Sequence, residues 1–137
     1  MKYISTRNNS KNLNYNDVLI QGLSADGGLF VPKVFPKFSN IELKKLSKLS
    51  YSKLATEIIS KFTGDDIHFD ELSKITEKVY SNFTNDKVAP LKDLGDNNFL
   101  LELFHGPTLA FKDYAMQFLA ADFERVIKLN NENIVIL

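Results

Sequence analysis

The spacing of apolar residues divides the chain into predicted helices, strands and one strand–turn–helix unit. Between 54 and 62, and again between 72 and 83, apolar residues recur every three or four positions, which is typical of helices with one buried face. Alternation of polar and apolar residues predicts a strand at 2–6, and the apolar residues at 29–31 predict a short extended segment. We therefore expect a mixed α/β chain whose helices pack on a small sheet.

Capping residues set the limits of the predicted helices. Polar residues that favour helix N-caps precede three of the helical patterns, namely Asn14, Ser39 and Ser50. Glycines that suit left-handed C-caps follow two of the patterns, at Gly22 and Gly64. After the first short helix, the predicted helices cover 41–49, 51–62 and 69–83. The residues expected to be buried are Leu54, Ile58, Leu72, Ile75, Phe99, Leu101, Phe118 and Val126.

The stretch 99–119 predicts a strand, a tight turn and a helix in succession. The run 99–104 is apolar apart from Glu102, which indicates a buried strand. Glycine and proline interrupt regular structure at 105–108. Helical spacing then begins near 111 and continues to 128, so Lys112 is predicted on the first turn of that helix.

This position is chemically unusual for a lysine. Free backbone N–H groups and the helix dipole place partial positive charge at a helix N-terminus, where an ammonium group is disfavoured. The neighbouring Phe104, Leu109 and Phe111 are expected to desolvate the Lys112 amine further. A neutral, nucleophilic amine is what Schiff-base chemistry with a carbonyl cofactor requires. By the residues alone, an ordinary surface lysine remains an open alternative.

Four polar residues near Lys112 are further candidates. His105 either contacts a cofactor or substrate, or it hydrogen-bonds to backbone within the turn. Thr108 either positions a substrate group or caps the helix. Asp113 is expected to interact with the helix dipole in the first turn. Glu102 lies either on an exposed face or beside a buried partner.

Composition and charge exclude several classes of function. The chain has no cysteine, so it has no disulfide and no thiolate metal site, and no spacing of His, Asp and Glu indicates a metal. The first 64 residues carry ten basic and four acidic side chains, but these lysines are scattered and predict solvated helix faces rather than a nucleic-acid interface. The apolar runs are too short to span a membrane, and no signal peptide is visible, so we expect a cytoplasmic protein.

The chain contains three motifs, KYISTR at 2–7, DGGLFVP at 26–32 and ELFHGPTLAFKDYAMQF at 102–118. Together they resemble motifs of the threonine synthase family, whose members are fold-type-II enzymes that depend on pyridoxal phosphate (PLP). The resemblance implies that Lys112 is the PLP-binding lysine, with His105 and Thr108 beside the cofactor. It implies a threonine-synthase-type N-terminal domain at 1–95 and the start of the PLP-binding catalytic domain at 96–137.

The activity implied by this resemblance converts O-phospho-L-homoserine and water to L-threonine and phosphate. PLP would serve as an electron sink while Lys112 moves protons at Cα and Cβ of the substrate. A related fold-type-II lyase, such as a serine/threonine dehydratase or a threonine-synthase-like phospholyase, remains an alternative. The DGGLFVP motif argues against the dehydratase.

The apolar residues 134–137 predict a further buried strand at the end of the chain. Because such a strand needs neighbours, we expect an N-terminal fragment whose partner is the remainder of the same enzyme. The ligands of the PLP phosphate and ring nitrogen are then expected downstream. By itself the chain is expected to be inactive. A non-catalytic module that docks on that remainder is the alternative interpretation of the isolated fragment.

Overall fold

The computed structural model of the protein describes residues 1–7 and 12–130. It confirms the mixed α/β class, with five α-helices and two small antiparallel sheets among these residues. The predicted strand at 134–137 lies outside the described residues. In chain order the elements are β1 (Tyr3–Ser5), α1 (Tyr15–Gln21), β2 (Phe30–Pro32), α2 (Asn40–Leu46), α3 (Tyr51–Thr63), a 3-10 turn (Gly64–Asp66), α4 (Phe69–Tyr80), β3 (Leu91–Gly95), β4 (Asn98–Leu101) and α5 (Asp113–Asn130).

Two of the predicted N-caps form complete capping boxes. The Asp17 N–H donates to Asn14 Oδ1 at 2.8 Å, and the Asn14 N–H donates back to Asp17 Oδ2 at 3.3 Å. Ser39 and Glu42 form the same reciprocal pair at the start of α2. The backbone hydrogen bond from Ser39, assisted by Lys61, lowers the pKa of Glu42 to about 2. Local sequence therefore sets where α1 and α2 begin.

Ser50 departs from the prediction for its helix. It precedes α3 as expected, but its side chain makes no capping hydrogen bond. The helix ends as predicted at Gly64, whose φ is +60°. α3 packs against α4, and the Thr56 and Thr76 hydroxyls hydrogen-bond across that contact at 2.7 Å.

The described residues form two small sheets rather than the single small sheet that was predicted. β1 pairs with β2, and β3 pairs with β4, in two separate antiparallel sheets. β3 and β4 form a hairpin, and its turn residues Asp96 and Asn97 have the positive φ values, +49° and +59°, that a tight hairpin favours. The prediction of a buried strand at 99–104 is wrong, because Phe99 and Leu101 are 58% and 49% exposed. No described element covers this hairpin.

The core lies between α4, the loop that follows it and the facing sides of α3 and α5. Val79, Tyr80, Phe83 and Val88 form its buried cluster. Among the residues predicted to be buried, Leu72 and Val126 are buried, at 0% and 1% exposure. The half-buried ones are Leu54, Ile58, Ile75 and Phe118.

The first two sequence motifs form one interlocked unit. Ser5 Oγ and the Gly28 N–H both donate to Asp26 Oδ1, at 2.8 and 2.9 Å. Arg7 reaches the same turn, since its guanidinium donates to the Asp26 carbonyl oxygen at 3.0 Å. A Cβ atom at Gly28 would overlap with Ser5 Oγ. The close approach of β1 to this turn therefore requires glycine at position 28.

Replacing Gly28 with alanine is expected to lower the free energy of unfolding by about 1–3 kcal/mol, the usual cost of overpacking. Urea unfolding, monitored by circular dichroism, measures this loss of unfolding free energy. The added methyl group would meet Ser5 Oγ. The double variant Gly28→Ala with Ser5→Ala should therefore lower the free energy of unfolding by less than the sum of the two single variants. Strictly additive losses would show that crowding against Ser5 is not the cause.

Candidate functional site

Lys112 lies at the junction between a tight turn and helix α5. The helix begins at Asp113, so Lys112 occupies the N-cap position rather than the first turn, which corrects the prediction by one residue. The Lys112 carbonyl oxygen accepts the first hydrogen bonds of the helix, from the N–H groups of Met116 at 2.8 Å and Ala115 at 3.1 Å. The lysine backbone is therefore held by the start of an 18-residue helix.

Asp113 holds the turn that precedes Lys112. Its carboxylate accepts the Thr108 N–H at 2.7 Å and the Thr108 hydroxyl at 2.8 Å. The side chain is buried beneath Gly106, where any Cβ atom would overlap with the carboxylate. Desolvation raises the pKa of Asp113, but these hydrogen bonds outweigh it and place the pKa below its ordinary value.

The roles of these two residues therefore differ in part from those considered in the sequence. Asp113 does lie in the first turn of α5, as predicted, and it also fixes the preceding loop. Thr108 is not the N-cap, because its hydroxyl and its N–H both bind the Asp113 side chain. Whether Thr108 also contacts a substrate or cofactor stays a prediction.

His105 and Glu102 form a side-chain pair on the segment that leads from β4 into the turn. His105 Nε2 lies 2.9 Å from Glu102 Oε2, and the two side chains are 15% and 21% exposed. Glu102 is thus largely buried with a partner, one of the two possibilities left open by the sequence. The His105 carbonyl oxygen also accepts hydrogen bonds from the N–H and the hydroxyl of Thr84, at 2.9 and 3.2 Å. Contact of His105 with a cofactor stays a prediction.

The Lys112 side chain is exposed, which contradicts the predicted desolvation. The three apolar neighbours expected to shield it are themselves 51–67% exposed: Phe104, Leu109 and Phe111. Among the described residues, no carboxylate forms an ion pair with its amine. The amine is thus open to a carbonyl compound from solution. This fits the point of attachment of PLP, although the described residues contain no glycine-rich loop for its phosphate.

A buried polar network that the sequence did not predict anchors α5 to α1. Arg125 Nε donates to Asp122 Oδ1 at 2.7 Å, and the Tyr15 hydroxyl donates to Asp122 Oδ2 at 2.6 Å. A second guanidinium nitrogen of Arg125 donates to Asn16 Oδ1 at 2.8 Å. Burial, followed by the negative charge of Asp122, raises the pKa of Tyr15. The available signal was the spacing of Asp122, which precedes Arg125 by three residues and Val126 by four and therefore lies beside both on the helix.

The described residues show few other sites. A cleft of about 530 Å³ opens between the start of α3 and the end of α4, lined in part by Tyr51 and Tyr80, and Lys112 does not line it. No group of three His, Asp or Glu side chains in the described ranges could hold a metal ion. Within those ranges, no helix combines the length and apolar character needed to cross a membrane.

Comparisons with known sequences connect this site to one family. The family model described as "Threonine synthase N terminus" matches residues 2–80, which is more than half of the chain. The threonine synthase of Pseudomonas aeruginosa is 44% identical over 137 residues, covering 100% of this chain and 29% of that protein. That of Saccharomyces cerevisiae is 40% identical, covering 96% of this chain and 27% of the relative. The chain thus spans less than a third of the length of these curated relatives.

Solved structures give the same result in three dimensions. A PLP-bound threonine synthase from Brucella melitensis superimposes with a TM-score of 0.93 at 41% identity, covering 97% of this chain and 29% of that one. The threonine synthase of Escherichia coli superimposes with a TM-score of 0.82 at 32% identity, covering 92% of this chain and 28% of its own. The similarity therefore extends from β1 through α5.

Proposed function

This chain belongs to the threonine synthase family, and from that premise we propose that the protein carrying it converts O-phospho-L-homoserine and water to L-threonine and phosphate. The observation that carries the proposal is the placement of Lys112. Lys112 is the N-cap residue of α5 and its side chain is exposed. It lies at the end of a turn that is fixed by Asp113 and Thr108. The fold around it superimposes on that of a PLP-bound threonine synthase.

We assign Lys112 two tasks in this reaction. Its Nζ atom is the point of covalent attachment for PLP, which supplies an electron sink when bound. When it is not attached to the cofactor, the same Nζ atom would move protons at Cα and Cβ of the substrate. The Asp113 carboxylate keeps the turn in place during these steps, because it binds Thr108 twice. His105 and Thr108 are proposed to lie beside the cofactor.

A surface of exposed apolar side chains supports the proposal that the chain docks against the remainder of the enzyme. The side chains lie on the hairpin, on the turn before Lys112 and on the start of α5, and clusters of exposed apolar side chains are typical of interfaces. They belong to Leu91, Leu94, Phe99, Leu100, Leu101, Phe104, Leu109, Phe111 and Met116. We propose that the remainder of the enzyme covers this surface and supplies the ligands of the PLP phosphate.

The domain division at 95 and 96 stays a prediction. It falls in the turn of the β3–β4 hairpin, between Gly95 and Asp96. A cytoplasmic location is likewise proposed from the sequence. The choice among fold-type-II reactions is made by substrate: a threonine synthase releases phosphate from O-phospho-L-homoserine, whereas a serine/threonine dehydratase acts on the free hydroxy amino acids.

Covalent labelling tests the assignment of Lys112 without relying on activity. PLP is added to the protein carrying this chain, borohydride is used to reduce any lysine adduct, and peptide mass spectrometry locates the pyridoxyl group. We expect the label on Lys112 in clear preference to Lys53, an exposed lysine on α3 that serves as the internal reference. Labelling of a different lysine, or equal labelling of the two, would refute the assignment.

A further inference from the structure

Val88 has a backbone conformation that β-branched residues rarely adopt. Its φ is +60°, in the left-handed region, and its side chain is buried at 5% exposure. The Ala89 N–H donates to the Lys87 carbonyl oxygen at 2.7 Å, which closes a three-residue γ-turn centred on Val88. Turns of this hand are strained, and such strain persists only where surrounding contacts hold it.

The hydroxyl of Tyr114 supplies one of these contacts. It donates to the Val88 carbonyl oxygen at 2.7 Å and lies 3.4 Å from the Glu102 carbonyl oxygen. The ring of Tyr114 packs edge-to-face against Phe83, with centroids 4.9 Å apart. Its backbone oxygen accepts a hydrogen bond from the Tyr80 hydroxyl at 3.0 Å. Tyr114 therefore joins the start of α5 to α4 and to the strained turn.

We propose that Tyr114 is a positioning residue for Lys112, acting through its hydrogen bond to the Val88 turn. Tyr114 lies in the first turn of α5, two residues after Lys112. The contacts of its side chain therefore fix where the helix starts relative to α4 and the Val88 turn. Without the hydroxyl, the Val88 turn loses a contact that opposes its relaxation, and α5 loses its link to that turn. This inference rests on the proposed function, since it concerns the placement of the PLP-binding amine.

Removal of the Tyr114 hydroxyl is the direct test. Tyr114→Phe keeps the ring, and Tyr51→Phe is the matched control, because Tyr51 lies in the same ring cluster, 6.3 Å away between centroids. Each variant of the protein carrying this chain is treated with PLP and borohydride, and the ratio of labelled Lys112 to labelled Lys53 is measured. We expect Tyr114→Phe to lower this ratio about fivefold, the usual effect of one lost hydrogen bond. Tyr51→Phe should leave it unchanged.

A second pair of variants tests the involvement of the strained turn. Glycine adopts positive φ without strain, so the turn in Val88→Gly should persist without help from the hydroxyl. In that background, the further change Tyr114→Phe is expected to alter the ratio by less than about twofold. An equal fall in both backgrounds would overturn the role of the Val88 turn.

Failure of the positioning role can be distinguished from failure of the proposed function. Circular dichroism at the labelling temperature establishes that each variant is folded. An unchanged ratio in Tyr114→Phe overturns the positioning role, and so does a Tyr114→Phe protein that is unfolded, because the hydroxyl would then serve stability alone. Absence of preferential Lys112 labelling in the unaltered protein refutes the proposed function instead.

Discussion

Replacing Lys112 with alanine is expected to lower phosphate release from O-phospho-L-homoserine by a factor of about 10²–10⁴ in the protein carrying this chain. The variant loses the group proposed to transfer protons in the reaction and the point of attachment of PLP. Because the Lys112 side chain is exposed, its removal should leave the fold unchanged. Steady-state phosphate release, with circular dichroism of the same samples, measures both quantities.

Two companion measurements make this result specific. Lys53→Ala removes another exposed lysine, on α3, and should retain full turnover. The 137-residue chain by itself is expected to release no more phosphate than its Lys112→Ala variant, since the proposed phosphate ligands lie outside it. Turnover retained by Lys112→Ala would refute the assignment, whereas Lys112-dependent turnover by the isolated chain would refute the proposal that the site is incomplete.

The largest effect on stability is expected from Asp122→Ala. Asp122 is fully buried and Arg125 is 9% exposed, so removing the carboxylate leaves a guanidinium without its partner in the interior. The Tyr15 hydroxyl loses its acceptor as well. Breaking a buried ion pair in this way costs about 3–5 kcal/mol. Urea unfolding of the protein carrying this chain measures the loss.

Glu124→Ala is the matched control for that experiment. Glu124 lies on the same helix and pairs with Lys128 at 2.6 Å, but both side chains are well exposed, at 65% and 73%. Exposed pairs of this kind contribute about 0–1 kcal/mol because water and salt screen them. Comparable losses for the two variants would mean that the Asp122–Arg125 pair does not hold α5 against α1.

The local elements of this chain could be read from sequence because their causes lie within a few residues. Asn14 and Ser39 cap their helices through partners three positions away, and Gly64 ends α3 by its own positive φ. The turn before Lys112 follows from Gly106 and Pro107 in the same way. The candidate lysine and its place at the start of a helix, within one residue, were therefore predictable.

Burial was less predictable, because it depends on what covers an element rather than on the element itself. The apolar run at 99–104 has the composition of a core strand, yet β4 pairs only with β3 and remains exposed in the described chain. The apolar neighbours of Lys112 were likewise expected to shield its amine, but they are themselves exposed. Periodicity indicates which residues share a face of a helix or strand, but it does not indicate which faces pack against each other.

The polar contacts that hold the site in place were decided by the tertiary structure. Tyr15 meets Asp122 across 107 positions, and Asn16 meets Arg125 across 109, so no local pattern reveals either hydrogen bond. The contact between Tyr114 and the Val88 turn spans 26 positions. Sequence alone predicted, within one residue, that Lys112 lies at the start of a helix. Where that helix lies, and what holds its first turn, follows from long-range hydrogen bonds that form only when the chain packs.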